Sequence, residues 1–269
     1  LNASLKRWGE GTRLRSLTRR DIEDARDEWI QEVGPNTVLK RLNALSRVYK
    51  LAKREGWVAY NPADAAAVDR PRQRRPQMDW FTPEEFNELL GRIEAHQAKP
   101  GGKITTRRRV LLWCRVLVAT GLRRSEFLKP PDSAWNLQKC SVFVAHGKTD
   151  SRDIPFPESL VPALQELQAI QGQIAPPSPR AFDKAWQTWK KLLAEPRLHP
   201  HAFRHTYGTT MAAHGIDVVS IAKLMGHTRI EITMRYLHAT RRGMSLRAAS
   251  GVMSWSAMSA WFTSRRSAR

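Results

Sequence analysis

The stretch "HPHAFRHTYG", residues 199–208, places His199, His201, Arg204 and His205 within seven residues. Three readings compete for it: a solvated basic loop, a zinc site built on His201 and His205 four residues apart, and a pocket for a phosphate. A His pair at that spacing still needs a third ligand, and a carboxylate base if it is to hydrolyse anything. Here Arg204 lies between the two histidines, where a metalloprotease carries no cation. His201 and Arg204, three apart, share one face of a helix. A guanidinium fork matches phosphate oxygens and keeps its charge. The phosphate pocket is therefore the leading reading, and the rest of the chain has to support it.

Charge supports it first. The 269 residues carry 45 Lys and Arg against 25 Asp and Glu, a formal net charge of +20. Such a field attracts polyanions, and counterion release makes nucleic acid the leading partner. An anionic membrane surface is the weaker alternative. No apolar run is long enough to span a bilayer and no signal pattern opens the chain, so no membrane span is expected. Cys114 and Cys140 form neither a disulfide framework nor a metal spacing, which fits a reducing compartment. No metal or other cofactor is called for. Because the chain opens at Leu1, upstream residues are expected to be missing.

The length has room for roughly two domains. Residues 1–65 read as helical. Thr18 and Asp21 resemble a capping box ahead of Ile22, Ala25, Trp29 and Ile30. From Asn36 onward, Val38, Leu42, Leu45, Tyr49 and Ala52 share one helix face, and Gly56 ends the helix. Lys40, Arg47, Lys50 and Arg54 share another face, almost free of acids, which favours phosphate contact over a merely solvated face. Residues 66–80 read as a basic linker, with Pro71 and Pro76 against helix and Arg70, Arg72, Arg74 and Arg75 solvated or lying on phosphates. At 81–86, "FTPEEF" opens a second domain over 81–243. Thr82 caps, Pro83 takes the first helical position, Glu85 completes the box, and Phe81 and Phe86 can staple it.

A buried helix then runs to Gly121, and "CSVFVAH" and "SRDIPFP" read as β-strands joined through "GKTD", with Lys148 at the turn. Helices are expected near 159–171, 179–193, 201–214, 217–224 and 229–238. Ser178-Pro179, Asp217 and Thr228 with Glu231 are plausible starts, and Gly215 and Gly226 plausible stops. The segment 244–269 is rich in Ser and Arg, with Val252, Trp255, Met258 and Phe262 at roughly helical spacing. The expected fold class is mainly α with a small antiparallel β-sheet.

Cutting and rejoining a phosphodiester requires a nucleophile, cations for the two non-bridging oxygens, and an acid for the leaving oxygen. The chain offers such a set in order: "ATGLRRSEF" with Arg123, "HGKTDSR" with Lys148, "HAFRH" with His201 and Arg204, and "LMGHTRIEITMRYLH" with His227 and, nine residues on, Tyr236. Each alone has a bland alternative: Tyr236 a packing residue, His227 a neighbour of a helix cap, Lys148 a solvated turn lysine. Together they resemble the tyrosine recombinase, or phage integrase, family over roughly residues 15–240. "NPA" at 61–63 and "FTPEEF" resemble the end of that family's DNA-clamping domain and the start of its catalytic domain.

The resemblance implies a helical core-binding domain followed by the catalytic domain, and the following roles. Tyr236 attacks the scissile phosphate and forms a 3′-phosphotyrosine, releasing a 5′-hydroxyl. Arg123 and Arg204 clamp the non-bridging oxygens. Lys148 protonates the leaving oxygen, His201 accepts the proton of Tyr236, and His227 adds a hydrogen bond to the phosphate. Energy is kept in the covalent bond, so neither ATP nor a metal is needed. Arg124 is expected to turn away, towards DNA. His199, His205 and His238 are expected to support the site's reacting residues or the structure, and Ser125 and Glu126 to support the helix and the site rather than react.

The implied partners are double-stranded DNA, three further copies in a tetramer on two DNA sites with the C-terminal segment docking on a neighbour, and accessory DNA-bending or directionality proteins. The expected setting is the bacterial cytoplasm, at the nucleoid, in the integration or excision of a mobile element. Two departures stand out: Pro130-Pro131 sits just ahead of the expected sheet, and the clamping domain is expected to lack a helix before residue 18. The rival readings are a catalytically silent DNA-binding remnant and a type IB topoisomerase-like nicking-closing enzyme.

Overall fold

The computed structural model describes residues 2–72, 78–96, 104–145 and 151–244. The chain divides into two compact units, Leu1–Gln77 and Met78–Arg269.

The first unit contains α1 (Asn2–Trp8), α2 (Arg19–Glu32) and α3 (Pro35–Arg54). Thr18 and Asp21 form a reciprocal capping box at the start of α2, satisfying N–H groups that a helix leaves open. Ile22, Ala25 and Trp29 of α2 bury against Val38, Leu42, Leu45 and Tyr49 of α3. Two features depart from the sequence reading. A helix does precede residue 18: α1 brings Trp8 edge-on to Trp29, with centroids 6.2 Å apart. The expected linker is also shorter than 66–80. Val68 is 1% exposed in the core of this unit. Arg70 donates to Asn43 Oδ1 at 2.6 Å and to the Ala63 carbonyl at 3.0 Å. One well-placed valine outweighs the turn-rich composition around it, because burying its side chain is worth about 1.5–3 kcal/mol.

In the second unit, Thr82 and Glu85 form the expected capping box ahead of α4 (Pro83–Ala95). Phe81 and Phe86 both pack on Phe203, stacked at 5.6 Å and edge-on at 6.1 Å. The next helix, α5 (Ile104–Thr120), is buried nearly all round from Val110 to Thr120, which explains its lack of a polar face. It stops at Gly121, whose φ of +61° lies in the left-handed region. A Cβ there would drive into the Tyr207 ring, so both conformation and space require glycine. The short α6 (Arg124–Phe127) follows.

The sheet has the order β1-β2-β3, from Trp135–Asn136, Ser141–Val144 and Arg152–Pro155, with both pairings antiparallel. Trp135 pairs with Val142, and Val142 with Ile154. Pro130-Pro131 leaves the pairing intact.

The helices α7 (Val161–Gln171), α8 (Pro179–Leu192), α9 (Pro200–Ala213), α10 (Val218–Met225) and α11 (Ile230–Met244) complete the unit. Ser178 and Asp217 cap α8 and α10 as expected, while α11 begins at Ile230, two residues after the expected start at Thr228, with Glu231 in its first turn, and runs past the expected 238. α9 lies at the centre, packed on α5, α10 and α11. The fold is thus mainly α with a small antiparallel sheet. No helix among the described residues is long and apolar enough to cross a membrane.

Candidate active site

The site grows from the C-terminus of α10. Gly226 closes this helix at φ +61°. The N–H groups of Gly226 and His227 bond back to the Lys223 and Ala222 carbonyls, a Schellman closure. Three carbonyls still point outward, and this is the negative end of the helix dipole. Three arginines from three other parts of the unit occupy them: Arg152 Nε donates to the Leu224 carbonyl at 2.8 Å, Arg204 to Met225 and Arg123 to Gly226. A Cβ on Gly226 would stand 2.7 Å from the Arg152 guanidinium, so this glycine serves both the turn and the cluster.

Glu126 ties the cations together from the other side. It accepts from the Arg123 N–H at 2.8 Å, from Arg123 Nη1 at 2.6 Å and from Arg152 Nη2 at 3.0 Å, with Arg204 Nη1 at 3.9 Å. Burial alone would raise its pKa, but the bonds from Arg123 and Arg152 outweigh it and hold the carboxyl below the usual range. Arg204 is 2% exposed and also donates to the Gly121 carbonyl at 2.6 Å. Burial, then the nearby Arg123, pull its pKa down to about 10, so it stays charged at neutral pH. Each of Arg123 and Arg204 spends part of a five-donor fork on the protein. The remaining N–H groups make a cationic cradle suited to an oxyanion.

Tyr236 of α11 is 2% exposed. Its ring lies on the α9 backbone at Gly208, where a Cβ would come within 2.9 Å of Cζ. The His227 ring is stacked on it at 6.1 Å, with 9° between planes. His227 Nδ1 in turn lies 2.8 Å from Thr233 Oγ1. The Tyr236 hydroxyl lies 3.1 Å from His205 Nδ1. Burial raises the tyrosine pKa, and Arg204 and Arg123 work against that rise. Burial, followed by Arg204 and Arg123, depresses His227 to about 3. Burial, followed by His201 and Arg204, depresses His205 to about 4. Both rings are therefore neutral at physiological pH.

Arg123, Arg204, His227 and Tyr236 thus converge. His201 is exposed, one turn before His205 on α9, with ring centroids 5.1 Å apart. It is His205, read from the sequence as structural, that meets the tyrosine hydroxyl. Arg152 was also missed, since within a β-strand it carries no motif. Arg124 departs from expectation as well: it forms a two-pronged pair with Asp183, at 2.8 and 2.5 Å, rather than standing free for DNA. Lys40, Arg47, Lys50, Arg54 and Arg72 are exposed in the first unit. Lys148, Arg74, Arg75 and residues 245–269 lie outside the described residues. Among those described, no group of three or more His, Cys, Asp or Glu converges as a metal site.

Comparison with known proteins gives a concordant picture. The phage integrase family profile matches residues 79–242. The tyrosine recombinase XerC of Lactobacillus delbrueckii subsp. bulgaricus is 26% identical over 249 residues, covering 86% of this chain and 81% of that protein. The XerC of Bacillus pumilus is 29% identical over 226 residues, covering 76% and 71%. Among solved structures, the Tn1549 transposon integrase in complex with a circular intermediate DNA superposes with a TM-score of 0.67 at 18% identity, covering 92% of this chain and 93% of that one. With the profile spanning more than half of its length, the chain belongs to the phage integrase family, the tyrosine recombinases.

Proposed function

We propose that this protein is a site-specific DNA recombinase that cuts and rejoins duplex DNA through a 3′-phosphotyrosine on Tyr236. The observation that carries the reading is the set of three successive carbonyls, Leu224, Met225 and Gly226, that hold Arg152, Arg204 and Arg123 beside a buried tyrosine. Such a cluster of guanidinium groups is poised for a phosphodiester, and donors fixed before reaction cost no reorganisation when charge develops.

In this mechanism Arg123 and Arg204 hold the two non-bridging oxygens. The Tyr236 oxygen forms a bond to phosphorus as the bond to the 5′-oxygen breaks. Lys148, on the β2–β3 connection, protonates the departing oxygen, and His227 donates to the phosphate. The 5′-hydroxyl of a second duplex then attacks the phosphotyrosine and restores the diester, so strands are exchanged without an external energy source. The basic face of α3 supplies sequence-independent phosphate contacts. Val219 of α10 and Ile230, Ile232 and Met234 of α11 are exposed, apolar surface that a neighbouring copy would cover in a tetramer on two sites. The role is the integration or excision of a mobile element, with accessory DNA-bending proteins, in the bacterial cytoplasm.

Covalent trapping tests the reading. The protein is incubated with the duplex flanking its own gene, denatured in detergent and examined for protein attached to 3′ ends. An adduct lost in Tyr236→Phe supports the nucleophile and maps the site. Salt-sensitive binding without any adduct refutes it.

A further inference from the structure

The family resemblance implies His201 as the proton acceptor, yet the side chain that meets the Tyr236 hydroxyl is the next histidine on the same face of α9. Its Nδ1 stands 3.1 Å from the phenol oxygen, within the reach that proton transfer requires. The rings lie 5.8 Å apart and inclined at 51°. No such bond joins His201 to Tyr236 among the described contacts, and His201 sits exposed while the tyrosine is buried. We propose that His205 is a catalytic residue, the base that takes the proton of Tyr236 as its oxygen attacks phosphorus and returns it when the tyrosine leaves. The inference rests on Tyr236 being the nucleophile.

The step balances. The O–H bond of neutral Tyr236 breaks as the O–P bond forms, and the proton passes to Nδ1 of neutral His205, giving an imidazolium. The 5′-oxygen leaves with the electron pair of its bond to phosphorus and takes a proton from a separate acid. In the joining half, the 5′-hydroxyl attacks, the phenolate leaves, and the imidazolium gives its proton back.

The surroundings make this base dependent on substrate. From its own helix His205 faces His201 and Arg204. His199 at the start of α9 also depresses it, and Asp79 opposes them. His227 stacks on the tyrosine ring, and Arg123 and Arg152 stand around the same cradle. In the free protein burial, followed by His201 and Arg204, keeps the imidazole from accepting a proton. A scissile phosphate seated on Arg123 and Arg204 brings a negative charge beside Arg204, the arginine that depresses it, and an opposite charge at this range favours the charged imidazolium. The base is therefore weak without DNA and stronger with it, which protects the tyrosine from unproductive ionisation.

The test uses the full chain and the DNA half-site mapped by trapping, with sulfur in place of the 5′ bridging oxygen. A thiolate leaves without protonation, so the rate of covalent attachment reports on nucleophile activation alone. His205→Asn, which keeps a polar group near Nδ1 but cannot accept the proton, is expected to slow attachment by roughly 10²–10⁴-fold, the range of general base catalysis. It should also abolish the fall in rate at acid pH shown by the parent, and added imidazole should restore part of the rate to His205→Ala. Salt-sensitive binding to the half-site checks folding, and His205→Gln replaces any variant that fails it. An attachment rate within about threefold of the parent overturns the proposal, as does loss confined to His201→Asn. If Tyr236→Phe still forms the adduct, it is the nucleophile assignment that fails instead.

Discussion

Gly208 is the residue whose replacement separates folding from chemistry most cleanly. A methyl group on its Cα would stand 2.9 Å from Tyr236 Cζ, 3.0 Å from Cε1 and 3.0 Å from Met225 Sδ. Carbon atoms in ordinary contact sit about 3.5–4.0 Å apart, so the ring has to yield by at least about 0.6 Å. Cζ carries the hydroxyl, so the nucleophile moves with it. Alanine gains about 0.8–1.0 kcal/mol over glycine within a helix, and overpacking costs about 1–3 kcal/mol. The net loss of stability is therefore small, about 0–2 kcal/mol. Chemistry is more exacting, since a displacement of about 1 Å can cost about 10²-fold in rate. Gly208→Ala should lower the rate of covalent attachment to 3′ ends by roughly 10- to 100-fold, while thermal melting shifts by no more than about 8 °C. A rate within threefold of the parent would show that Met225 and the ring absorb the methyl group, and would refute the claim that this glycine sets the position of the hydroxyl.

Other outcomes follow from the same geometry. Glu126→Gln leaves Arg123, Arg152 and Arg204 without their shared carboxylate. Breaking a buried pair costs about 3–5 kcal/mol, so denaturant unfolding should show a loss near the low end of that range, with cleavage falling in step. His205 and His227 are depressed from the usual 6.5 to about 4 and about 3. The unfolded chain therefore binds protons that the folded chain refuses. This contribution to stability is complete above pH 6.5 and is lost as pH falls towards 3. Urea midpoints measured at pH 7.5 and pH 5 should show the decline, and equal midpoints would contradict it. Replacing Lys50 or Arg47 by Ala should weaken DNA binding alike for all sequences and lower the slope of log affinity against log salt by about one unit each. Fluorescence anisotropy across a salt series reads this directly.

Much of the fold was legible because its signals are local. Thr18 with Asp21, and Thr82 with Glu85, sit at the required spacing, and both boxes form. The apolar face of α3 follows from a 3.6-residue period. The β2–β3 pairing follows from two β-branched runs either side of a turn. The limits were equally physical. Val68 sits among turn-forming residues, and only the cavity awaiting it distinguishes it from a linker valine. Arg124 read as a free cation because its partner, Asp183, lies 59 residues away. Arg152 carried no motif, because its role depends on where β3 passes the end of α10.

By itself the sequence determined the helical class, the small sheet, the cationic character and the ordered series Arg123, His201, Arg204, His227 and Tyr236, because helix period, capping and motif spacing are properties of neighbouring residues. It also placed His201 and His205 on one face of α9, since both lie at helical spacing. Only the tertiary structure decided between them. Gly208 lets α11 approach α9 closely enough for the tyrosine ring to lie on the helix backbone, and that approach sets the hydroxyl beside His205. The carbonyls of α10 likewise gather arginines from three distant segments, because a helix end leaves acceptors unfilled whatever the chain supplies nearby.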